Sequence, residues 1–293
     1  MLPIAVSNSI LEFLKNSSGK DVSLFQASPL GGGCINEALK LQSTEGFFFI
    51  KYNLAASYPG MFEREAEGLN LLSATNEIRI PEVIHSDIEG TYSYLLLEFI
   101  ETGGKVQNFW EVFGKSLALL HNHSKPLYGL QNDNYIGSLP QSNRTHPDWN
   151  SFFVMERLEP QVKMCRDKGE IGSQLVRQFE IVYSKLPNLI PEEKPALLHG
   201  DLWNGNYIVD EGGNPCLIDP AVYFGHREVD LAMTRLFGEF SPLFYESYNA
   251  ASPLEKGWEQ RADIFNLYPL LVHVNLFGGG YISEVKQIIN RFI

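Results

Sequence analysis

The chain has 293 residues, of which 44% are hydrophobic, 12% aromatic and 20% charged. These proportions are typical of a globular protein with a sizeable core and exclude a disordered or fibrous one. The formal net charge of −12 at pH 7 disfavours a nucleic-acid partner, because proteins that bind phosphate backbones rely on basic patches, but it is compatible with cationic substrates. No secretory leader and no stretch of about 20 apolar residues is visible, so we expect a cytoplasmic protein without a membrane partner.

The three cysteines, Cys34, Cys165 and Cys216, are widely spaced and include no C-x-x-C pair. This distribution disfavours a structural zinc site and a disulfide framework, so we expect reduced thiols. Cys34 follows three glycines in a loop that we predict to be exposed, whereas the other two lie in apolar stretches. Cys34 is therefore the candidate for oxidation, including a disulfide that would turn a monomer into a redox-dependent homodimer.

The first hundred residues predict a small antiparallel sheet with two helices. Helical spacing of apolar residues is found at 3–16 and 61–72. Extended runs bounded by turn residues are found at 22–27, 38–42, 47–52, 83–86 and 92–99. These elements form the predicted N-terminal nucleotide-binding lobe, residues 1–100.

Helical periodicity dominates the remainder of the chain. Helices are predicted at 109–121, 149–165, 174–186, 229–237, 245–251 and 259–277, with a small hairpin at 207–218. Residues 101–293 are therefore predicted to be a mainly helical catalytic and substrate lobe. The fold class expected from both parts is α+β and bilobal.

The segment 199–206, HGDLWNGN, is the most informative stretch. Asp201 and Asn206 are five residues apart, the spacing of the protein-kinase catalytic loop, and Asp219 ends an apolar run where the kinase D-F-G aspartate would lie. We therefore predict Asp201 as the catalytic base, and Asn206 and Asp219 as oxygen ligands of Mg²⁺. The structural alternative for the His-Gly-Asp triplet is a turn in which the aspartate caps backbone amides.

Lys51 closes the apolar strand 47–50 and is predicted to contact the α- and β-phosphates of ATP. A glutamate of the following helix is expected to pair with it. Glu63, Glu65 and Glu67 are all candidates, and Glu65 is our choice.

Two further segments are candidate nucleotide contacts. The glycine loop before Lys51 includes Gly32 and Gly33 and is followed by Asn36, and glycines let backbone amides approach phosphate oxygens closely. The loop matches no nucleotide-binding consensus, and its alternative interpretation is a flexible hairpin. The stretch Leu97, Glu98 and Phe99 ends the sheet at the lobe junction, where its backbone would bind adenine or simply end a buried strand.

The acceptor side of the site is predicted from aromatic and polar residues near the catalytic loop. Trp203 lies between Asp201 and Asn206 and is predicted to form a wall of the acceptor site, with Tyr223 and His226 in its floor. His199 and Asp230 are predicted to brace the loop instead of reacting.

Several of these motifs together resemble the fructosamine kinase, or ketosamine-3-kinase, family. They are residues 31–36 (GGGCIN), 62–69 (FEREAEGL), 199–206 (HGDLWNGN) and 219–233 (DPAVYFGHREVDLAM). The motifs that carry the resemblance spread over nearly the whole chain. The tryptophan inside the catalytic loop makes the resemblance more specific than a general likeness to aminoglycoside or choline kinases. This chain departs from the family pattern at Phe224, where the family commonly has a second tyrosine.

The resemblance implies a protein-kinase-like fold and ATP-dependent phosphorylation of the 3-hydroxyl of a ketoamine, such as a fructosamine or ribulosamine on a free or protein-borne amine. The phosphorylated product sheds its sugar, so the implied activity is repair of glycation. The resemblance also implies a redox-sensitive cysteine at the position of Cys34. Two alternatives remain: a kinase of the same fold acting on an aminoglycoside or choline, and a non-catalytic pseudokinase that serves as an interaction module.

Overall fold

The computed structural model describes residues 2–31 and 36–293. Its N-terminal part is a five-stranded antiparallel sheet with strand order β1-β2-β3-β5-β4. The strands are β1 Leu24–Pro29, β2 Glu37–Ser43, β3 Gly46–Leu54, β4 Val83–Glu89 and β5 Tyr92–Glu98. Two helices accompany the sheet, α1 Ile4–Ser18 and α2 Met61–Ser73.

Strand β5 shows why this sheet is apolar on both faces. Tyr94 and Leu96 pack with residues of α1, whereas Leu95 and Leu97 pack with residues of α2. Successive side chains of a strand point to opposite faces, so a helix on each face requires a continuous apolar run. Helix α2 thereby lies between the sheet and the rest of the protein.

The C-terminal part is mainly helical. Its helices are α3 Phe109–Leu120, α4 Trp149–Phe152, α5 Glu159–Asp167, α6 Ser173–Leu189, α7 Glu228–Leu236, α8 Pro242–Ala251, α9 Trp258–Phe277 and α10 Ile282–Phe292. Helix α9 is buried on most of its circumference, which is typical of a helix at the centre of a bundle. Within the described residues, no helix is both long enough and apolar enough to cross a membrane.

Three short two-stranded pairings interrupt the helices and position the functional loops. Strands β8 Ala196–Leu198 and β11 Tyr223–Gly225 pair with each other, as do β9 Tyr207–Val209 and β10 Pro215–Leu217. Strands β6 Asn134–Ile136 and β7 Leu139–Gln141 form the third pair. The segment 199–206 therefore joins β8 to β9, and residues 218–222 join β10 to β11.

The predicted α+β organisation is confirmed, with local differences. The helix expected at 149–165 contains a π-helical segment, Phe153–Leu158, between α4 and α5. Pro160 follows this segment and has no backbone N–H to donate, which removes one hydrogen bond of the regular α-helical ladder. Helix α10 and the strands β6, β7, β8 and β11 were not predicted, and apart from α10 they are three-residue elements too short to show a period.

Candidate active site

Asp230 of α7 fixes the start of the loop 199–206. Its two carboxylate oxygens accept hydrogen bonds from the backbone N–H groups of His199 at 2.7 Å and Gly200 at 2.9 Å, and His121 Nε2 lies 3.2 Å away. Burial alone would raise the pKa of Asp230, but the His121 hydrogen bond and the loop amides bring it below its usual value. Asp230 is therefore a buried anion that anchors the loop backbone.

Gly200 and His199 join this loop to the segment after β10. Gly200 has φ +84°, and a Cβ at this position would lie 2.1 Å from Ala221 O, so only glycine fits. His199 Nδ1 accepts the backbone N–H of Asp201 at 3.3 Å, and its Nε2 donates to Ile218 O at 2.9 Å. Burial lowers the pKa of His199, which keeps the imidazole neutral in this bridging position.

Asp201 and Asn206 form the centre of the loop. Asn206 Nδ2 donates to the Asp201 backbone oxygen and to Asp201 Oδ2, both at 2.8 Å. Burial, followed by the charges of Asp219 and Asp230, raises the pKa of Asp201 to about 7 against the opposing effect of the Asn206 hydrogen bond. A carboxylate with a pKa near neutrality is suited to accepting a proton at physiological pH.

Lys51 connects the sheet to the segment that contains Asp219. Its Nζ lies 2.8 Å from Glu65 Oε1 and 2.5 Å from Asp219 Oδ1. Burial would lower the pKa of Lys51, but the two carboxylates raise it overall, so the ammonium stays charged. Of the three glutamates of α2, Glu65 is the one that contacts Lys51.

The other two glutamates of α2 have a different partner. Glu63 and Glu67 both bind Arg64, at 2.8 Å and 2.7 Å. Arg64 lies in the wall of the same cleft as Lys51.

Asp219 lies in a left-handed backbone conformation, with φ +55°. This region is uncommon for residues other than glycine and is often found at functional sites. Its side chain remains 46% exposed even though it contacts Lys51. The conformation turns the chain from β10 into the cleft and presents the carboxylate there.

A buried network of amide side chains supports the segment after Asp219. Asn134 Nδ2 donates to Val222 O at 2.9 Å, and Gln141 Nε2 donates to Asn134 Oδ1 at 2.8 Å and to Ala221 O at 3.3 Å. Tyr268 OH donates in turn to Gln141 Oε1 at 2.7 Å. The hairpin β6–β7 therefore ties the backbone of this segment to central helix α9.

These groups meet in a cleft of about 380 Å³ between the sheet and the helical part. The predicted site residues that line it are Asn36, Lys51, Glu65, Asp201, Trp203, Asn206 and Asp219. The β6–β7 hairpin, whose residues 134–137 also line the cleft, was not predicted as part of the site. The turn-forming glycine Gly137 was the only local signal for this hairpin.

Tyr223 and His226, predicted in the acceptor floor, do not line this cleft. Tyr223 is 1% exposed and lies 4.0 Å from the buried guanidinium of Arg157, measured from Cζ to the ring centroid. His226 is fully buried, with its Nε2 3.2 Å from Pro191 O. Pairing of β11 with β8 turns Tyr223 into the core, and His226 directly follows this strand and is buried with it.

The predicted adenine-binding stretch also lies outside the residues that line the cleft. Leu97 packs in the core against α2, Glu98 binds Arg79 at 2.8 Å, and the Phe99 ring lies 3.8 Å from Lys40 Nζ. Three predicted residues, Gly32, Gly33 and Cys34, lie outside the described residues, and the redox role of Cys34 stays a prediction.

The sequence matches the fructosamine kinase family over residues 6–293. A "probable ketoamine kinase" of Synechocystis sp. is 38% identical over 287 residues, covering 97% of this chain and 95% of the relative. The chloroplastic protein-ribulosamine 3-kinase of Arabidopsis thaliana is 38% identical over 283 residues, covering 94% of this chain and 85% of the relative.

Solved structures show the same relationship. A crystal structure from Haemophilus somnus, provisionally named a fructosamine-3-kinase, has a TM-score of 0.88 and 32% identity and covers 97% of this chain and 96% of that chain. A mutant aminoglycoside phosphotransferase crystallised with AMP-PNP and hygromycin B has a TM-score of 0.63 at 14% identity. The match covers 96% of this chain and 98% of that chain. The second likeness concerns the fold alone, and the predicted protein-kinase-like fold is confirmed.

Proposed function

Because the chain belongs to the fructosamine kinase family, we propose that it transfers the γ-phosphoryl group of ATP to the 3-hydroxyl of a ketoamine. The ketoamine is a fructosamine or ribulosamine, the sugar adduct that glycation leaves on an amine. The relatives named ketoamine kinase and protein-ribulosamine 3-kinase support this substrate class. The structural observation that carries the proposal is that the Asp201–Asn206 pair and the Lys51–Asp219 pair line one cleft.

Asp201 is the proposed base of the reaction. It orients the acceptor hydroxyl and takes its proton as that oxygen attacks the γ-phosphorus, while the bond from phosphorus to the bridging oxygen breaks and ADP leaves. Asn206 holds the carboxylate with its 2.8 Å hydrogen bond. Trp203, in the same loop and cleft, is the proposed wall against which the sugar lies.

Lys51 is the proposed ligand of the α- and β-phosphates. Glu65 keeps its ammonium in the cleft through the 2.8 Å ion pair. Arginine and lysine side chains near the phosphates stabilise their negative charge, so a lysine held in this way lowers the barrier by positioning and electrostatics.

Asn206 and Asp219 are the proposed ligands of Mg²⁺. Asn206 uses its Nδ2 for Asp201, so within the described residues its Oδ1 has no protein donor, and Asp219 contacts Lys51 through one oxygen. Oxygen donors of this kind fit Mg²⁺, which prefers hard ligands and takes few of them from protein. The ion would neutralise negative charge on the phosphates of ATP.

We further propose that the nucleotide-binding lobe comprises residues 1–100 and the catalytic and substrate lobe residues 101–293. Strand β5 is the last strand of the sheet in sequence and ends at Glu98. The first helix of the helical part begins at Phe109. The cleft is lined from both sides of this boundary.

The alternative functions are not favoured. The likeness to an aminoglycoside phosphotransferase is limited to the fold, at 14% identity. A pseudokinase would not need Lys51, Asp201, Asn206 and Asp219 together in one cleft.

ATP turnover measured against fructosamines, ribulosamines, aminoglycosides and choline tests the proposal. We expect turnover with at least one ketoamine and a product that carries a phosphate monoester on its sugar. Turnover confined to aminoglycosides or choline would contradict it.

A further inference from the structure

Trp203 is the first member of a group of four aromatic rings, Trp203, Phe237, His273 and Tyr281, which we call the aromatic wall. The Phe237 ring lies 6.0 Å from the Trp203 ring and 4.6 Å from the His273 ring, and His273 lies 5.1 Å from Tyr281, all between centroids. All four side chains are half-buried. They come from the catalytic loop, the end of α7, α9 and the turn before α10, so no single stretch of sequence reveals the group.

The aromatic wall is continuous with the catalytic site. Trp203 is two residues from Asp201 and lines the same cleft. Asn204 Nδ2 donates to Gly238 O at 2.5 Å, which joins the catalytic loop to the residue after Phe237. Phe237, His273 and Tyr281 do not line the nucleotide cleft, so the aromatic wall meets that cleft through Trp203.

His273 gives the wall a polar group with a defined role. Its Nδ1 donates to Pro269 O at 2.7 Å, which fixes the tautomer and leaves Nε2 as a hydrogen-bond acceptor. Burial lowers the pKa of His273, so the ring is neutral near pH 7. Within residues 2–31 and 36–293, Nε2 has no hydrogen-bond partner and is not closed off from solvent.

We propose that the aromatic wall recognises the amine of the ketoamine, with its alkylated ammonium against the aromatic rings and its N–H donating to His273 Nε2. This inference rests on the proposed function and adds the group that distinguishes a ketoamine from a neutral sugar. An alkylated amine is cationic near neutral pH, and a cation is attracted to the faces of tryptophan, tyrosine and phenylalanine rings. A neutral imidazole adds an acceptor without repelling the charge.

The location suits the chemistry of the substrate. The amine is attached to C1 of the sugar, two carbons from the hydroxyl that reacts, so it must lie within a few ångströms of Asp201. Trp203 is two residues from Asp201 in the same loop and lines the same cleft. The remainder of the amine-bearing group, whether a small alkyl chain or a lysine of a protein, then extends beyond His273 past Tyr281.

The experiment compares a ketoamine with its ether analogue, which has oxygen in place of the amine and is neutral. Both are assayed with wild type, Phe237→Leu, Phe237→Tyr, His273→Leu and His273→Phe. We expect wild type to prefer the amine, and both leucine variants to lose about 10-fold in kcat/KM for the ketoamine through KM. The KM for ATP and the kcat/KM for the ether should change less than about 2-fold.

The conservative variants separate the two parts of the inference. Phe237→Tyr keeps an aromatic face and should retain the preference for the amine. His273→Phe keeps a ring but removes the acceptor, so it should lose part of that preference. Phe25→Leu, which alters a side chain that is 63% exposed on strand β1, is the matched control. It should leave kcat/KM unchanged for both the ketoamine and the ether.

Three results would overturn the inference. Equal losses of kcat/KM for amine and ether, or no loss in any wall variant, would mean that the wall does not recognise the amine. The proposed function would then stand. A wild-type protein that phosphorylates no ketoamine would overturn the proposed function together with the inference. Thermal unfolding of each variant identifies a loss of activity that is caused by misfolding. The Phe237→Tyr and His273→Phe variants keep an aromatic ring at each position so that the packing is preserved.

Discussion

Lys51 and Asp219 are 168 residues apart in the chain, yet the lysine Nζ lies 2.5 Å from Asp219 Oδ1. The group proposed to bind phosphates and the group proposed to bind the metal ion therefore neutralise each other in this structure. Glu65 is the second partner of the same ammonium, at 2.8 Å. Bound nucleotide and metal ion must replace the direct Lys51–Asp219 contact as the main partners of both groups.

Lys51→Met removes the only ammonium that these two carboxylates contact within the described residues. Glu65 and Asp219 then repel each other, and the phosphates lose their cation. We expect kcat/KM for ATP to fall by about 100-fold or more. Steady-state kinetics with varied ATP checks this, and Lys20→Met, which removes an exposed lysine paired with Glu45, should leave the value within about 2-fold.

Gly200→Ala should destabilise the protein. The new Cβ would lie 2.1 Å from Ala221 O, and φ of +84° is unfavourable for alanine. We expect a loss of about 3 kcal/mol or more in the free energy of unfolding, measured by denaturant titration. Gly280→Ala, at a position where no atom would come within 4 Å of the new Cβ and φ is not positive, is the control and should cost less than about 1 kcal/mol.

The parts of the site that the sequence predicted are those with fixed local spacing. Asp201 and Asn206 are in one loop, and Lys51 ends an apolar strand, so the pattern of each is visible in a few residues. Tyr223 and His226 were predicted to face the acceptor because they follow Asp219 closely. Pairing of β11 with β8, a strand 25 residues earlier in the chain, turns Tyr223 into the core, and His226 directly follows β11.

Asp230 and His199, predicted as braces of the loop, do hold its backbone, but the supporting groups of the β6–β7 hairpin could not be predicted because they depend on long-range contacts. Asn134 and Gln141 belong to three-residue strands without a period, and their roles follow only from contacts with residues 221, 222 and 268. The aromatic wall likewise joins Trp203 to His273, which lies on a helix 70 residues later. Polar residues of these types are common on loops, so composition alone does not mark them.

Gln141→Leu tests the buried amide network. The change removes the donors to Ala221 O and Asn134 Oδ1 and leaves the Tyr268 hydroxyl without its acceptor. We expect a loss of about 1–3 kcal/mol in the free energy of unfolding. Because Ala221 follows Asp219 closely, kcat should also fall while the affinity for ATP alone is retained.

Gln178→Leu is the matched control for that variant, since Gln178 makes an exposed side-chain hydrogen bond to Asn290. It should change stability by less than about 0.5 kcal/mol and leave kcat unchanged. A Gln141→Leu protein with wild-type stability and kcat would show that the network does not support the Asp219 segment.

The buried histidines His199 and His226 should make stability depend on pH. Burial lowers the pKa of both from the ordinary value of 6.5. Below pH 6.5 the unfolded chain therefore binds protons that the folded protein does not, so their contribution to stability is present above pH 6.5 and is lost as the pH falls. Asp201, whose pKa is raised to about 7, acts in the opposite direction because the folded state takes up its proton first.

Removing the opposing group makes the histidine effect measurable. In Asp201→Asn, we expect the free energy of unfolding to fall as the pH is lowered from about 6.5 to about 5.5, by up to about 1.4 kcal/mol per pH unit for each buried histidine. In the double variant that also carries His226→Asn, the free energy of unfolding should fall less over the same pH range than in Asp201→Asn alone. Identical slopes with and without His226 would be inconsistent with a buried neutral imidazole at this position.

Phosphorylation of a ketoamine by wild type and by Asp201→Asn, with ATP affinity measured in parallel, tests the central claim most directly. The account predicts that wild type forms a sugar phosphate, and that Asp201→Asn lowers kcat by about 100- to 10,000-fold while the Kd for ATP changes less than about 3-fold. Asp167→Asn, an exposed carboxylate variant, should behave as wild type. An Asp201→Asn protein that retains wild-type kcat with a ketoamine would contradict the account.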